Sequence, residues 1–192
     1  MTIFLILAPC GAFTVLMLTT SAGVSLFAAA SVCLAVIAID ALRSRSVKIL
    51  GAGSAILFAG IGLYLIFIDH TPSQSAVKLA VDAGIFAISL GSMLLRFPFT
   101  LQYAIEAVPA ETAAMPGFLR ANYVITGAWT VAALLMMLAN AAVLYVPGLP
   151  IWSSLAIAFA ARNSAVYFTK WYPQYRRAKY QAQPVNALAD TH

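Results

Sequence analysis

Six apolar runs, each about long enough to cross a lipid bilayer, constrain this chain more than any other feature. They extend approximately over residues 3–20, 23–41, 48–68, 76–96, 122–146 and 150–170. A transmembrane helix needs about 20 mostly apolar residues. Since only 9% of the 192 residues are charged, the chain has too few charges to cover a soluble surface. We predict an all-α, polytopic membrane helix bundle with a single transmembrane domain over residues 1–180, followed by a polar, disordered cytoplasmic tail over 181–192.

The first 41 residues admit two other interpretations. Residues 3–41 could form one long, bent segment, but a segment of 39 residues is too long for one span. The first run could also be a removable signal. No Lys or Arg precedes it, and Pro9 stands before Cys10 where a lipoprotein signal requires a small residue. We therefore expect a retained helix.

The basic residues collect on one side of a six-span arrangement. They lie in the second connection, in the fourth connection and after the last span: Arg43, Arg45, Lys48, Arg96, Arg120, Lys170, Arg176, Arg177 and Lys179. Lys78 is the only basic residue on the other side. Because Lys and Arg favour the cytoplasmic side, we predict a multi-pass protein of the inner (plasma) membrane with both termini in the cytoplasm. The net charge of +5 then indicates contact with anionic lipid. Nucleic acid is excluded as a partner because its binding needs one basic patch.

The fourth connection, from Phe97 to Arg120, is too long for a simple turn. Four apolar residues recur in it at helical spacing: Phe97, Leu101, Ile105 and Val108. This spacing predicts a short helix that lies on the cytoplasmic interface.

Polar residues form a stripe along each of two consecutive spans. At 100° per residue, five residues of the fourth span fall within about 80° of one another: Lys78, Asp82, Ser89, Ser92 and Arg96. The fifth span has a face of similar width: Asn122, Thr126, Trp129, Met136 and Asn140. The stripes could line a hydrated path, with Asp82 as a proton or cation site and Arg96 at its inner mouth. Alternatively, they are hydrogen-bonding contacts that hold packed helices together.

Asp82 and Arg162, in the sixth span, are functional candidates because ionisable residues within a span are costly. Each also has a simpler interpretation. Asp82 could pair with Lys78 four residues earlier. The Arg162 side chain could extend to the cytoplasmic interface, or it could pair with Asp40 or with the ring of Trp129.

The remaining patterns predict packing more than chemistry. Cys10 and Cys33 lie at similar depth if the first two spans form a hairpin, but cysteine is usually a small apolar filler there. Gly51, Ala55 and Ala59 repeat at four-residue spacing, which predicts a close packing face. Its partner could be another span or a second copy of the chain.

Several chemistries lack the residues they need. His70 and His192 are the only histidines and neither lies within a span, which excludes a pair of haem ligands. The sequence contains no nucleophile elbow, no phosphate-binding loop and no dense acidic motif for magnesium. We therefore predict no catalytic, cofactor-binding or metal-binding residues and no enzyme activity.

Two stretches carry a resemblance. Residues 96–103 (RFPFTLQY), and residues 116–129 beginning PGFLRANY, resemble a group of small polytopic bacterial inner-membrane proteins with no assigned function. The resemblance implies an inner-membrane location and transfers no site residues.

These observations favour a small-solute or ion permease or channel-like protein. We expect it to form an oligomer, because its small-residue faces would allow copies to pack together. Its candidate polar path consists of Asp82, Ser89, Arg96, Asn122, Thr126, Trp129, Asn140 and Arg162. The alternative is a non-catalytic accessory or assembly subunit of a larger membrane complex, whose partners would be other membrane subunits. A third, weaker interpretation is a lipid-modifying or redox enzyme that uses Cys10 and Cys33.

Overall fold

All regular elements in the described part of the chain are helices. The computed structural model describes the backbone of residues 2–43, 45–69 and 73–189, and the side chains of 8–43, 45–69 and 73–179. Eight helices follow one another: α1 (Thr2–Thr19), α2 (Ala22–Leu42), α3 (Ile49–Phe67), α4 (Gln74–Leu94), α5 (Phe99–Ile105), α6 (Ala110–Ala113), α7 (Pro116–Tyr145) and α8 (Ile151–Ala189). The all-α prediction is confirmed for these residues.

Four helices, α2, α3, α4 and α7, are long and apolar enough to cross a membrane. In α1, the apolar stretch with described side chains runs from Ala8 to Thr19 and is shorter than a full span. In α8, Arg162 and Asn163 interrupt the apolar half, and a polar half follows it. The structure thus supports a membrane helix bundle, while six spans stay a prediction.

The helix ends follow from local chemistry. Ser21 and Ser73 precede α2 and α4, and their hydroxyl oxygens accept hydrogen bonds from the backbone N–H groups of Val24 (3.4 Å) and Ala76 (3.1 Å). Such caps satisfy backbone donors that have no partner within the helix. The predicted runs that begin at residues 23 and 76 therefore start within two residues of α2 and α4.

Consecutive long helices pack side by side. The pairs are α1 with α2, α2 with α3, α3 with α4, α4 with α7, and α7 with α8. Residues of both α1 and α8 line one small internal cavity, so the two ends of this row meet around it. Ile85 of α4 packs against both hydrophobic clusters, one built from α1 to α4 and the other from α7 and α8.

The small-residue face of α3 packs within the same chain. A Cβ at Gly51 would lie 3.9 Å from Ile37 of α2, Ala55 is buried in the cluster built from α1 to α4, and Ala59 packs against that cluster. Because glycine lets neighbouring helices approach closely, this face is used inside the bundle.

The fourth connection differs from the amphipathic helix that its spacing predicts. Helix α5 packs against α7 and its first turn, including Leu101, is buried. Phe97 and Ile105 are exposed, so the four apolar residues do not share one buried face. The reason is that α5 begins only at Phe99, after Pro98, and ends at Ile105, before Val108.

Helix α8 extends beyond the last predicted span. It continues to Ala189, so the backbone of residues 181–189, for which the sequence predicts a disordered tail, is helical. Residues 190–192 lie outside the described residues, as do His70 and His192 of the sequence analysis.

Candidate functional site

Asp82 and Asn140 meet where α4 packs against α7. The side-chain amide of Asn140 donates a hydrogen bond to Asp82 Oδ2 over 2.6 Å. Asp82 and Lys78 form no ion pair, although both side chains are described and Lys78 acts on Asp82 electrostatically. The carboxylate is therefore held mainly across the helix interface, not by the local pair that the spacing also allowed.

Two further layers of hydrogen bonds join α4 and α5 to α7. Ser89 and Thr130 share a hydrogen bond of 2.7 Å, and Thr130 also donates to the backbone carbonyl of Thr126 (2.9 Å). Thr100 of α5 bonds to the hydroxyl of Thr126 over 2.7 Å and to the backbone carbonyl of Asn122 over 3.0 Å. The two predicted stripes thus meet, and at these layers the contact is direct.

Asn122 bonds within α7, whereas Trp129 bonds across to α8. The Asn122 side chain donates to the carbonyl of Phe118 (3.0 Å), and the Trp129 indole donates to the hydroxyl of Thr169 (3.0 Å). No buried side-chain nitrogen or oxygen among the described residues lacks a partner. Most polar residues of the two stripes therefore make hydrogen bonds that hold neighbouring helices together.

Arg96 ends α4 and is exposed. Its φ of 60° is left-handed, a conformation that favours glycine. The N–H groups of Phe97 and Arg96 bond to the carbonyls of Ser92 (2.9 Å) and Met93 (3.0 Å), which is the Schellman pattern of a helix end. Arg96 is not among the described residues that line the cavity, and its place at the inner mouth of a path stays a prediction.

Arg162 lines the internal cavity together with Cys10, Cys33, Ser54 and Trp129. Its guanidinium therefore faces the bundle interior. Neither predicted partner holds it. Asp40 pairs instead with Lys48, over 3.3 Å. The cation–aromatic contact found among the described residues is between Lys48 and the ring of Tyr103, not between Arg162 and Trp129.

Arg162 and Asp82 interact electrostatically without a direct ion pair, and Arg162 also acts on Cys10. Opposite charges attract over longer distances in a bundle interior than in water, because the dielectric constant there is lower. Arg162 lies on the cavity wall, whereas Asp82 is bonded to Asn140 and is not among the described residues that line the cavity.

The cavity has a volume of about 70 Å³, enough for about two water molecules at ~30 Å³ each. Its polar lining includes Arg162, Ser89 and Ser54. Neither Asp nor Glu is among the described residues that line it. Such a cavity suits water or a small anion and excludes larger solutes.

Cys10 and Cys33 are both free thiols on the wall of this cavity. The hairpin of α1 and α2 brings them to one site, as their symmetrical spacing predicts. With no His, Asp or Glu in the described cavity wall, they lack a base for thiol chemistry.

A buried cluster around Lys48 was not predicted. Lys48 Nζ lies 2.8 Å from both carboxylate oxygens of Glu106 and 3.3 Å from Asp40, and Lys48 is only 4% exposed. Arg45 approaches the same two carboxylates within 4.0 Å. The signal available in the sequence was the placement of Asp40, Lys48 and Glu106 on one predicted side of the membrane.

Partial burial would raise the pKa of the Glu106 carboxyl, but the hydrogen bonds and charge of Lys48, with Ser46, outweigh it. The pKa of Glu106 is therefore below its usual value. This cluster ties the α2–α3 connection to the end of α5.

We compared the chain with known proteins to see whether a relative indicates its function. Comparisons of the chain with protein-family models, with curated proteins and with solved structures find no match. The resemblance noted from residues 96–129 stays an expectation, and function is argued from the site.

Proposed function

We propose that the chain is a small inner-membrane permease that moves a small anion together with a proton. Asp82, held by Asn140, would take up and release the proton, and Arg162 would attract the anion in the internal cavity. The observation that carries the proposal is that two ionisable side chains, here called the polar centre, lie inside the bundle: Asp82, bonded to Asn140 between α4 and α7, and Arg162, on the cavity wall.

The physical cost of this centre supports a functional role. A carboxylate and a guanidinium inside a membrane bundle are expensive, and such residues commonly line ion or proton paths. The neutral hydrogen bonds Ser89–Thr130 and Thr100–Thr126 would be enough to hold the helices together.

The proposal includes six spans with both termini in the cytoplasm. The four long apolar helices support it, and so do the basic residues, which then share one side. In this arrangement Asp82 lies about 12 Å along α4 from its outer end, at 1.5 Å per residue from Gln74, which places the polar centre well inside the bilayer.

The proposed solute follows from the size of the cavity. About 70 Å³ admits an ion the size of a halide but no metabolite. Direct hydrogen bonds join Ser89 of α4 and Thr100 of α5 to α7. They leave no open path for a solute between these helices, so transport would need the helices to separate.

The test is proton movement driven by an anion gradient in proteoliposomes, followed with an internal pH dye for a panel of small inorganic anions. We expect inward anion gradients to acidify the interior, Asp82→Asn to abolish the acidification and Arg162→Gln to abolish anion uptake. Asn163→Ala is the matched control, because Asn163 is exposed and bonds to its own helix at Phe159 (2.7 Å). Wild-type activity in Asp82→Asn would refute the assigned role.

A second candidate function is a non-catalytic accessory subunit. The direct hydrogen bonds through the α4–α7 interface favour it, since they make a firm packing core without a continuous path. Purification in mild detergent would recover a reproducible membrane partner if this candidate is right, and proteoliposomes of the chain alone would show no flux.

A further inference from the structure

A groove of about 670 Å³ opens beside the start of α7. The α5–α6 segment, the first turns of α7 and residues 173–177 of α8 form its walls. Phe118, Ala121 and Ile125 of α7 give it an apolar side, whereas Arg176 and Arg177 bring two positive charges. It is separate from the cavity of Arg162.

Arg176 is fixed at one end of this groove. Its guanidinium donates to the backbone carbonyl of Gly117 over 2.9 Å, and a Cβ at Gly117 would lie 2.9 Å from the same guanidinium. The guanidinium therefore packs directly against the backbone of Gly117. Ile125 lies eight residues further along α7, about 12 Å away at 1.5 Å per residue, so the groove has a charged end and an apolar length.

This combination fits an amphiphile with an anionic head. Arg176 and Arg177 bring two positive charges to the groove, and neither Asp nor Glu is among the described residues that line it. Arginine binds phosphate through several N–H donors, and an apolar length of about 12 Å matches part of an acyl chain. A soluble anion would leave the apolar length uncovered, and a peptide would not need the two guanidinium groups.

We propose that this groove binds one anionic phospholipid, with its phosphate at Arg176 and Arg177 and an acyl chain along Phe118, Ala121 and Ile125. The site lies beside the basic residues that six spans place at the cytoplasmic surface, where anionic lipid headgroups are found. The inference does not depend on ion transport and goes beyond the proposed permease.

The experiment compares phosphatidylglycerol and phosphatidylcholine with identical acyl chains, added to the detergent-purified full chain and counted by native mass spectrometry. We expect one phosphatidylglycerol to stay bound when phosphatidylcholine has dissociated. In the double variant Arg176→Gln/Arg177→Gln we expect the preference to fall, by about fivefold for each arginine. Lys170→Gln/Lys179→Gln is the matched control, because both lysines are exposed on the same helix and neither lines the groove.

Ala121→Phe gives a second test that keeps both arginines. It should fill the apolar length and release the lipid while elution in size exclusion stays unchanged. Equal binding of the two lipids by the wild type would overturn the proposal, and so would an unchanged preference in both the arginine variant and Ala121→Phe. Glycerol phosphate has no acyl chain. If it stays bound as well as phosphatidylglycerol does, the proposal is also overturned, in favour of a soluble-anion site.

Discussion

Lys48 shows how one buried charge holds two distant connections together. Its ammonium group has carboxylates from α2 and from the end of α5 within 3.3 Å. A buried ion left without its partner is costly, so the α2–α3 connection and Glu106 must stay together for the charge to be satisfied. The basic residues of the second connection therefore have a structural role as well as the predicted role in orientation.

We expect Glu106→Gln to destabilise the protein at neutral pH by about 1 kcal/mol, because Asp40 still pairs with Lys48 and the Glu106 side chain is 23% exposed. Since the pKa of Glu106 is lowered in the folded state, its contribution is full at neutral pH and is lost as pH falls through that lowered pKa. Lys48, Arg45, Asp40 and Ser46 are the groups around it.

Thermal unfolding in detergent, followed by tryptophan fluorescence from neutral to acidic pH, measures this effect. The melting temperatures of wild type and Glu106→Gln should differ at neutral pH and converge in acid. Glu111→Gln, which changes an exposed carboxyl on α6, should match the wild type throughout. A difference that persists in acid would mean that the carboxylate charge is not its cause.

At the scale of elements, the α3–α4 interface depends on the absence of a side chain at Gly84. A Cβ there would overlap the side chain of Leu57, whereas a Cβ at Gly91 of the same helix meets nothing within 4 Å. Since valine lowers helix propensity equally at both positions, the pair of variants isolates packing.

We expect Gly84→Val to cost about 1–3 kcal/mol more than Gly91→Val, the usual cost of overpacking a close contact. The two variants would be compared by their melting temperatures in the same detergent. Equal melting temperatures would show that Leu57 moves aside freely and that α3 and α4 do not require this close approach.

The sequence predicts the helices better than the contacts between them. Hydropathy determines the helices because an apolar run of that length has one low-energy structure in a bilayer. The polar stripes also indicate that Asp82 and Asn140 lie at similar depth. Hydropathy gives no signal for Thr100, which reaches Thr126 only because α5 turns inward after Pro98.

The charged residues show a second limit of sequence reasoning. Asp40 was one possible partner of Arg162, but it pairs with Lys48. Pairing depends on the rotation of each helix about its axis, and only tertiary packing determines that rotation. Arg96 shows a related limit, because helical spacing assigns it to the stripe of the fourth span whereas its left-handed φ of 60° places it after the end of α4.

At the scale of the whole molecule, the number of spans depends on α1 and α8, and α8 is the less apolar of the two. It is absent from the four helices that are apolar enough by themselves, because Arg162 and Asn163 interrupt it. In the bundle, however, Arg162 lines the internal cavity and Ala161 and Ala165 are buried against α7. Its polar residue is thus partly shielded by protein, which lowers the cost of crossing the bilayer.

We therefore expect α8 to cross the membrane, so that Leu149 and Lys179 lie on opposite sides. Single cysteines at these exposed positions, in a variant without Cys10 and Cys33, would be treated in intact cells with a membrane-impermeant thiol reagent. Cysteine at 149 should react at once, and cysteine at 179 only after permeabilisation. Ser73 and Glu111 are matched exterior and interior controls, since their sides do not depend on α8. Reaction at 179 in intact cells would place the C-terminal half of α8 outside, and the basic residues from Lys170 to Lys179 would then lie opposite Arg43 and Arg45, against the positive-inside rule.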